Sequence, residues 1–187
     1  MKNNSTLRLT VAALLTAIGI IIPMYSPFKI VIPPAASFTL ASHVPIFIAM
    51  YISPGVAATV AIGTTLGFFM GMFPLIIVLR AASHIVFATL GALYLQRAGK
   101  VHSSATVLII FSFFIALTHA AGEVIVVTVF FFQGNLDAAY SIMLILLLFG
   151  LGTVIHSMTD FGIAHFIKSA LKKSKTSELL FIRAKQK

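Results

Sequence analysis

The stretch Phe73-Pro74-Leu75-Ile76-Ile77-Val78-Leu79-Arg80-Ala81-Ala82-Ser83-His84 decides how this chain is read. It opens an apolar segment running to Leu95, long enough for a bilayer that about 20 helical residues cross. Arg80 lies inside that segment, about 9 Å from its start at 1.5 Å per residue. A guanidinium cannot discharge itself by losing a proton, and an Arg at the centre of a span costs about 2.5–3.5 kcal/mol on insertion scales. Something must offset that cost. His84, four residues on, shares the helix face. An intramembrane cation with a polar neighbour marks a functional site by default. The bland readings are a structural ion pair or snorkelling to the outer interface.

The composition around this stretch is that of a membrane protein. The chain has 187 residues, 59% hydrophobic and only 9% charged, with mean hydropathy +1.07. A soluble domain carries about 25% charged residues, so lipid is the main solvent here. The net charge of +9 raises the question of nucleic acid. Most Lys and Arg, however, sit at the two ends and in one short loop, a topology signal rather than a groove-binding patch. Cysteine is absent, which excludes disulfides, thiolate chemistry and zinc–cysteine sites. Lys2 and Arg8 before an apolar run to Ile22 mimic a signal peptide, with Ala35-Ala36-Ser37 as a weak cleavage site. The run reads instead as a retained first helix.

Taken in order, the chain reads as an all-α integral membrane protein with about six transmembrane helices. The expected spans are Leu7–Ile22, Phe38–Ile52, Val56–Met72, Leu75–Leu95, Ser104–Phe132 and Ala138–Ile167. The second and third are short and flanked by Pro or Gly, as segments bordering transporter sites often are. Between the first two lies Met24–Ser37, with Pro27, Pro33 and Pro34. Proline at that density cannot continue a helix, yet the loop is apolar and is expected to fold back onto the protein. Six spans put both termini on one side, together with Arg97, Lys100 and the C-terminal lysines, and the positive-inside rule makes that side cytoplasmic. Residues 1–172 form the expected transmembrane domain and 173–187 a basic tail resting in solvent or on anionic lipid.

Three polar pairs share helix faces at i, i+4: Arg80 with His84, His119 with Glu123, and His156 with Asp160. Glu123 lies on the outer half of its span, within reach of Arg80. His156 and Asp160 lie on the inner half, where interhelical hydrogen bonding near the cytoplasmic face is the simpler reading. His and carboxylate at this spacing is geometrically possible for a metal but weak, and the pattern His-Glu-x-x-His is absent. No Gly-x-Ser-x-Gly elbow or Walker sequence occurs. Gly63, Gly67 and Gly71 form a small-residue ridge for close helix packing, and Ala13 with Ala17 a weaker one that packs internally or docks another membrane protein.

With these residues in view, the chain resembles the substrate-binding S components of energy-coupling factor (ECF) vitamin transporters. Length, six helices, cytoplasmic termini and a partly apolar first external loop match across nearly the whole chain. Ser37-Phe38-Thr39-Leu40-Ala41-Ser42-His43-Val44-Pro45, Gly63-Thr64-Thr65-Leu66-Gly67-Phe68-Phe69 and Leu79-Arg80-Ala81-Ala82-Ser83-His84 look like the niacin-type members. Related members take pyridoxine, hydroxymethylpyrimidine or pantothenate. The nickel and cobalt members begin Met-His, and this chain begins Met1-Lys2.

The resemblance implies a multi-pass subunit of a prokaryotic cytoplasmic membrane that captures a vitamin near the outer face. It implies no catalysis and no cofactor in this chain. A transmembrane coupling (T) subunit and two ATPase subunits are the implied partners, with Ala13 and Ala17 looking like the contact with the T subunit. For nicotinate, Arg80 would take the carboxylate. His43 or His84 would orient the pyridine ring, Tyr25 or Phe38 would cover it, and Asn135 would add a hydrogen bond. Glu123 would balance Arg80 when the site is empty. Pantothenate, also anionic, fits Arg80 equally well, and pyridoxine would prefer Glu123 and the histidines. Two other classes stay open: a structural or assembly membrane protein, and a small intramembrane enzyme using His119, Glu123, His156 and Asp160.

Overall fold

The computed structural model describes residues 5–32, 35–98, 104–134, 136, 140–171 and 181. The basic loop 99–103, Asn135 and nearly all of the tail from residue 172 fall outside them. Six helices account for most of the described chain: α1 (Ser5–Tyr25), α2 (Val44–Met50), α3 (Pro54–Met70), α4 (Leu75–Ala98), α5 (Ala105–Phe132) and α6 (Ile142–Leu171). Helices α1, α4, α5 and α6 are long and apolar enough to cross a membrane, and α3 is a shorter apolar helix. Their outward faces carry Leu14, Leu66, Leu90, Ile109, Phe114 and Ile155, all more than two-fifths exposed. In a membrane this is the lipid-facing surface.

The first external loop departs from the expected irregular segment. Helix α1 carries on past Pro23 to Tyr25, because a proline in the last turn forfeits little of the ladder. Lys29 Nζ then donates to the Pro23 carbonyl at 3.3 Å, covering one of the open carbonyls at the helix end. From Lys29 the chain forms an antiparallel hairpin of β1 (Lys29–Ile32) and β2 (Ala36–Thr39), with Lys29 opposite Thr39 and Ile32 opposite Ala36. Strand β1 is exposed throughout, whereas Ala36 and Thr39 of β2 are buried. The expectation that this loop folds back onto the protein holds through β2.

The second expected span, Phe38–Ile52, is corrected. Its first two residues belong to β2, and its helix is only the seven residues of α2. At 1.5 Å per residue that is about 10 Å, so the descent into the protein is shared by strand, turn and helix. Val44, Pro45, Ile46, Phe47, Ala49 and Met50 of α2 are all buried. A helix apolar all round belongs in a core, and α2 is enclosed by α1, α3, α4 and α6. Pro45 sits in its first turn, where the missing N–H costs nothing. Ser53 then caps α3 by accepting from the Val56 N–H at 3.2 Å.

Around this plug, α1 packs on α3, α3 on α4, α4 on α5 and α5 on α6. The glycine ridge serves the first of these contacts. A Cβ on Gly63 would stand 2.5 Å from Thr16 Cγ2, and one on Gly19 would stand 2.9 Å from Thr64 Oγ1. Gly67 faces Ile20 in the same seam, while Gly71 has left it and lies beside Phe73.

Helix α6 is not uniform: Leu146–Gly152 winds as a π-helix. Its buried residues Ile145, Phe149, Thr153, Ser157 and Phe161 recur every fourth position. In a regular α-helix such a stripe drifts by about 40° per step. The wider π turn takes up part of that drift and keeps the stripe facing α5. Such turns are frequent at functional sites.

The α1–α3 seam yields a prediction. Gly63→Ala drives a methyl group into the stiff β-branched side chain of Thr16, and overpacking of this kind costs about 1–3 kcal/mol. The expected result is a lower melting temperature in detergent, restored by adding Thr16→Ala; a single variant as stable as the parent would refute the close approach.

Candidate functional site

The site is built where the hairpin, the turn before α2, and helices α3 to α6 converge. Arg80 enters from α4 and is 5% exposed; Glu123 enters from α5 and is 2% exposed. Both carboxylate oxygens lie 3.0 Å from a single guanidinium nitrogen, Nη2. Arg80 Nη1 donates to the carbonyl of Ala35 at the hairpin's return, and the guanidinium carbon stands 4.7 Å from the centre of the Phe149 ring. Its Nε–H has no hydrogen-bond partner. Glu123 also accepts from Thr153 Oγ1 at 2.7 Å and has His84 Nε2 at 3.5 Å and His119 Nε2 at 3.6 Å. Arg80 and Glu123 therefore pair, a contact that the sequence put within reach but did not settle, and neither snorkels.

A second knot lies beside the first. Asp160 of α6 accepts the backbone N–H of Ala41 at 2.8 Å and of His43 at 2.9 Å, and stands 3.2 Å from His43 Nδ1. Ala41 is held at φ 68°, a left-handed conformation that costs a non-glycine residue about 1–2 kcal/mol. The turn it creates sends the His43 ring into the centre of the bundle. Ser42 Oγ lies 3.2 Å from both His43 Nδ1 and His156 Nε2. His156 and Asp160 do make interhelical contacts, but not apart from the site as expected: they hold the turn that carries His43, and His156 reaches the cavity wall.

Between the knots the imidazoles crowd together. The ring of His43 is 4.8 Å from His84, 4.6 Å from His119 and 5.0 Å from His156. Phe87 stacks under His119 at 4.4 Å. His119 is 1% exposed, and neither ring nitrogen has a hydrogen bond. His43, His84 and His119 offer ring nitrogens within 4.8 Å of one another, and His43, His156 and Asp160 form a second such group. Either spacing admits a metal ion, but His43 Nδ1 is already occupied by Asp160 and His84 Nε2 faces Glu123. Hydrogen bonding accounts for His43, His84, His156 and Asp160, and of these two groups His119 is the member without it.

Beside the imidazoles is a cavity of about 60 Å³, room for about two water molecules at their volume in the liquid. Arg80, His84, Glu123, His43 and His156 supply its charged and titratable wall, Ser37, Thr39, Ser42 and Thr64 its hydroxyls, and Phe38, Phe68 and Phe73 its aromatic side. The three segments that carry the family resemblance each contribute to this wall. Of the expected site residues, Arg80, His84, His43, Glu123 and Phe38 are brought together here. Tyr25 is not: it is 75% exposed on the last turn of α1 and borders a separate shallow groove with Phe28 and Leu40. The extra turn of α1 past Pro23 carries it away. Asn135 lies outside the described residues. Ala13 and Ala17 are exposed on the outward face of α1. Sequence reasoning passed over Ser42, Thr64, Phe149 and Thr153. Only Thr64 had a signal, its place beside Gly63 in the ridge; its buried hydroxyl has no partner.

No family model matches the chain, and no solved structure matches it. One curated relative does: the niacin transporter NiaX of Lactococcus lactis subsp. cremoris (strain MG1363), 41% identical over 174 residues, which are 92% of this chain and 78% of that protein. At that identity and coverage the enzyme and assembly-protein readings fall away in favour of transport. The chain belongs to the family of the niacin transporter NiaX, and with it to the niacin-type S components that its own motifs resemble.

Proposed function

We propose that the chain captures niacin, as the nicotinate anion, in the cavity beside Arg80. The observation that carries this reading is Arg80 itself, a buried guanidinium among the residues that line the cavity, with its Nε–H left without a partner beside the bonds to Glu123 and Ala35. A planar carboxylate answers a guanidinium with charge-assisted hydrogen bonds, and Phe38 and the imidazoles are suited to a pyridine ring. The relative's substrate supports the same ligand. The cavity is tight, so the hairpin, joined to Arg80 through Ala35, serves as the lid that shifts to admit the ring.

The rest of the importer is inferred from the family. The subunit sits in the cytoplasmic membrane of a prokaryote with both termini inside. It hands its cargo to a T subunit driven by two ATPase subunits, holding no cofactor itself. The exposed Ala13 and Ala17 give α1 a smooth outward stripe for the T subunit.

Calorimetry on the purified chain tests the ligand; tryptophan quenching does not apply, since the chain has no Trp. Nicotinate is expected to bind with an affinity near nanomolar, about −12 kcal/mol, and nicotinamide, pyridoxine and pantothenate far more weakly. Tight pyridoxine or pantothenate binding would keep the transporter and replace the vitamin. The double variant Arg80→Gln with Glu123→Gln removes both buried charges together, so the fold is expected to survive while nicotinate affinity falls at least about a hundredfold. On α1, Ala13→Trp is expected to abolish co-purification with the T subunit and leave nicotinate binding intact. Co-purification at the parental level would move the contact elsewhere.

A further inference from the structure

The charges around the cavity do not balance once an anion enters it. Among the described residues, Arg80 is the one guanidinium there, and Glu123 already lies on it at 3.0 Å. Asp160 is the second carboxylate, and it has its own partners in two backbone N–H groups and His43. A ligand carboxylate therefore has to share or take over a cation that is already matched. A surplus negative charge in a buried site is strongly penalised unless it is neutralised. The means of neutralisation stand beside Glu123. From α4 it is faced by Arg80 and His84, from α5 by His119, and from α6 by the uncharged hydroxyl of Thr153. His43, from the turn before α2, touches both His84 and His119, and through His43 the chain of rings continues to His156 and Asp160.

We infer that nicotinate binding is coupled to the uptake of about one proton by the cluster Glu123–His84–His119. This rests on the niacin reading above. The incoming carboxylate takes Arg80, and Glu123, released from full pairing, shares the new proton with the imidazoles that already point at it. The proton comes from solvent and stays in the protein, so the occupied site has the same net charge as the empty one. His119 fits this role through its lack of any hydrogen-bond partner: both nitrogens are buried and unbonded, so its bare nitrogen can accept a proton, and its N–H donate, without breaking an existing bond.

Titration calorimetry of the full chain with nicotinate at pH 7, in buffers of contrasting ionisation enthalpy such as phosphate and Tris, counts the protons directly. The expected count is about one taken up per nicotinate bound. Because the complex holds the extra proton, binding is favoured at lower pH. The dissociation constant is expected to rise about tenfold per pH unit above neutrality. Glu123→Gln removes the competing anion, so nicotinate alone then balances Arg80, and both proton uptake and pH dependence are expected to vanish. Tight binding with no proton uptake in the parent would overturn the inference and leave the niacin reading standing. Uptake that persists unchanged in Glu123→Gln would also overturn it, by placing the proton elsewhere. Absence of nicotinate binding to the parent would overturn the niacin reading and the coupling with it.

Discussion

A guanidinium held inside an apolar bundle by a carboxylate on the neighbouring helix is the constraint on which this structure turns. Removing one partner from such a pair costs about 3–5 kcal/mol, because the other charge is stranded. The Arg80–Glu123 pair reaches further than its two helices. Through Nη1 it fixes the return of the β-hairpin at Ala35, and through Thr153 it fixes the middle of α6. Four parts of the chain thus meet at one charge pair. The pair does not use all of the arginine: its Nε–H has no partner, and Arg80 is among the residues that line the cavity. Stability and the proposed capture of the ligand draw on the same side chain.

The second knot does a different job. Asp160 gathers two backbone N–H groups and a histidine from a turn that contains a strained alanine. That turn is where the chain changes from strand to the short enclosed helix α2. Without an acceptor below it, the half-buried N–H of Ala41 and the buried N–H of His43 would be left unpaired, at about 1–3 kcal/mol for the buried one. The Asp160 carboxylate therefore stabilises a backbone conformation whose purpose is to place one ring, that of His43, at the centre of the imidazole cluster.

The sequence made some of this legible and hid the rest for physical reasons. Arg80, Glu123 and His84 could be found because charge and imidazole stand out in lipid-soluble helices, and helical spacing pairs Arg80 with His84 and His119 with Glu123; His43, in a turn, was reached only through the family resemblance. The four long helices were visible by length alone. The second passage was not: β2 and α2 together look like one apolar run, and hydropathy does not distinguish a strand followed by a buried helix from a single helix. Tyr25 was misplaced because the first span was expected to end at Ile22, ahead of Pro23, whereas α1 runs on through that proline to Tyr25. Asp160 was correctly assigned to hydrogen bonding but put in the wrong neighbourhood, since its partners lie over a hundred residues away and no local pattern reports them. Phe149 and Thr153 had no signal, because their position depends on the π turn.

That π turn gives α6 an unusual kind of rigidity. The leucines of residues 146–148 point largely outward, and one apolar side chain there is much like another. The winding is another matter. Wound as a regular α-helix, the same seven residues would rotate further about the axis, because a π turn holds more residues than an α turn. Thr153 would swing off Glu123 and Asp160 off the Ala41–His43 turn in one motion. The segment is permissive in spelling and strict in winding.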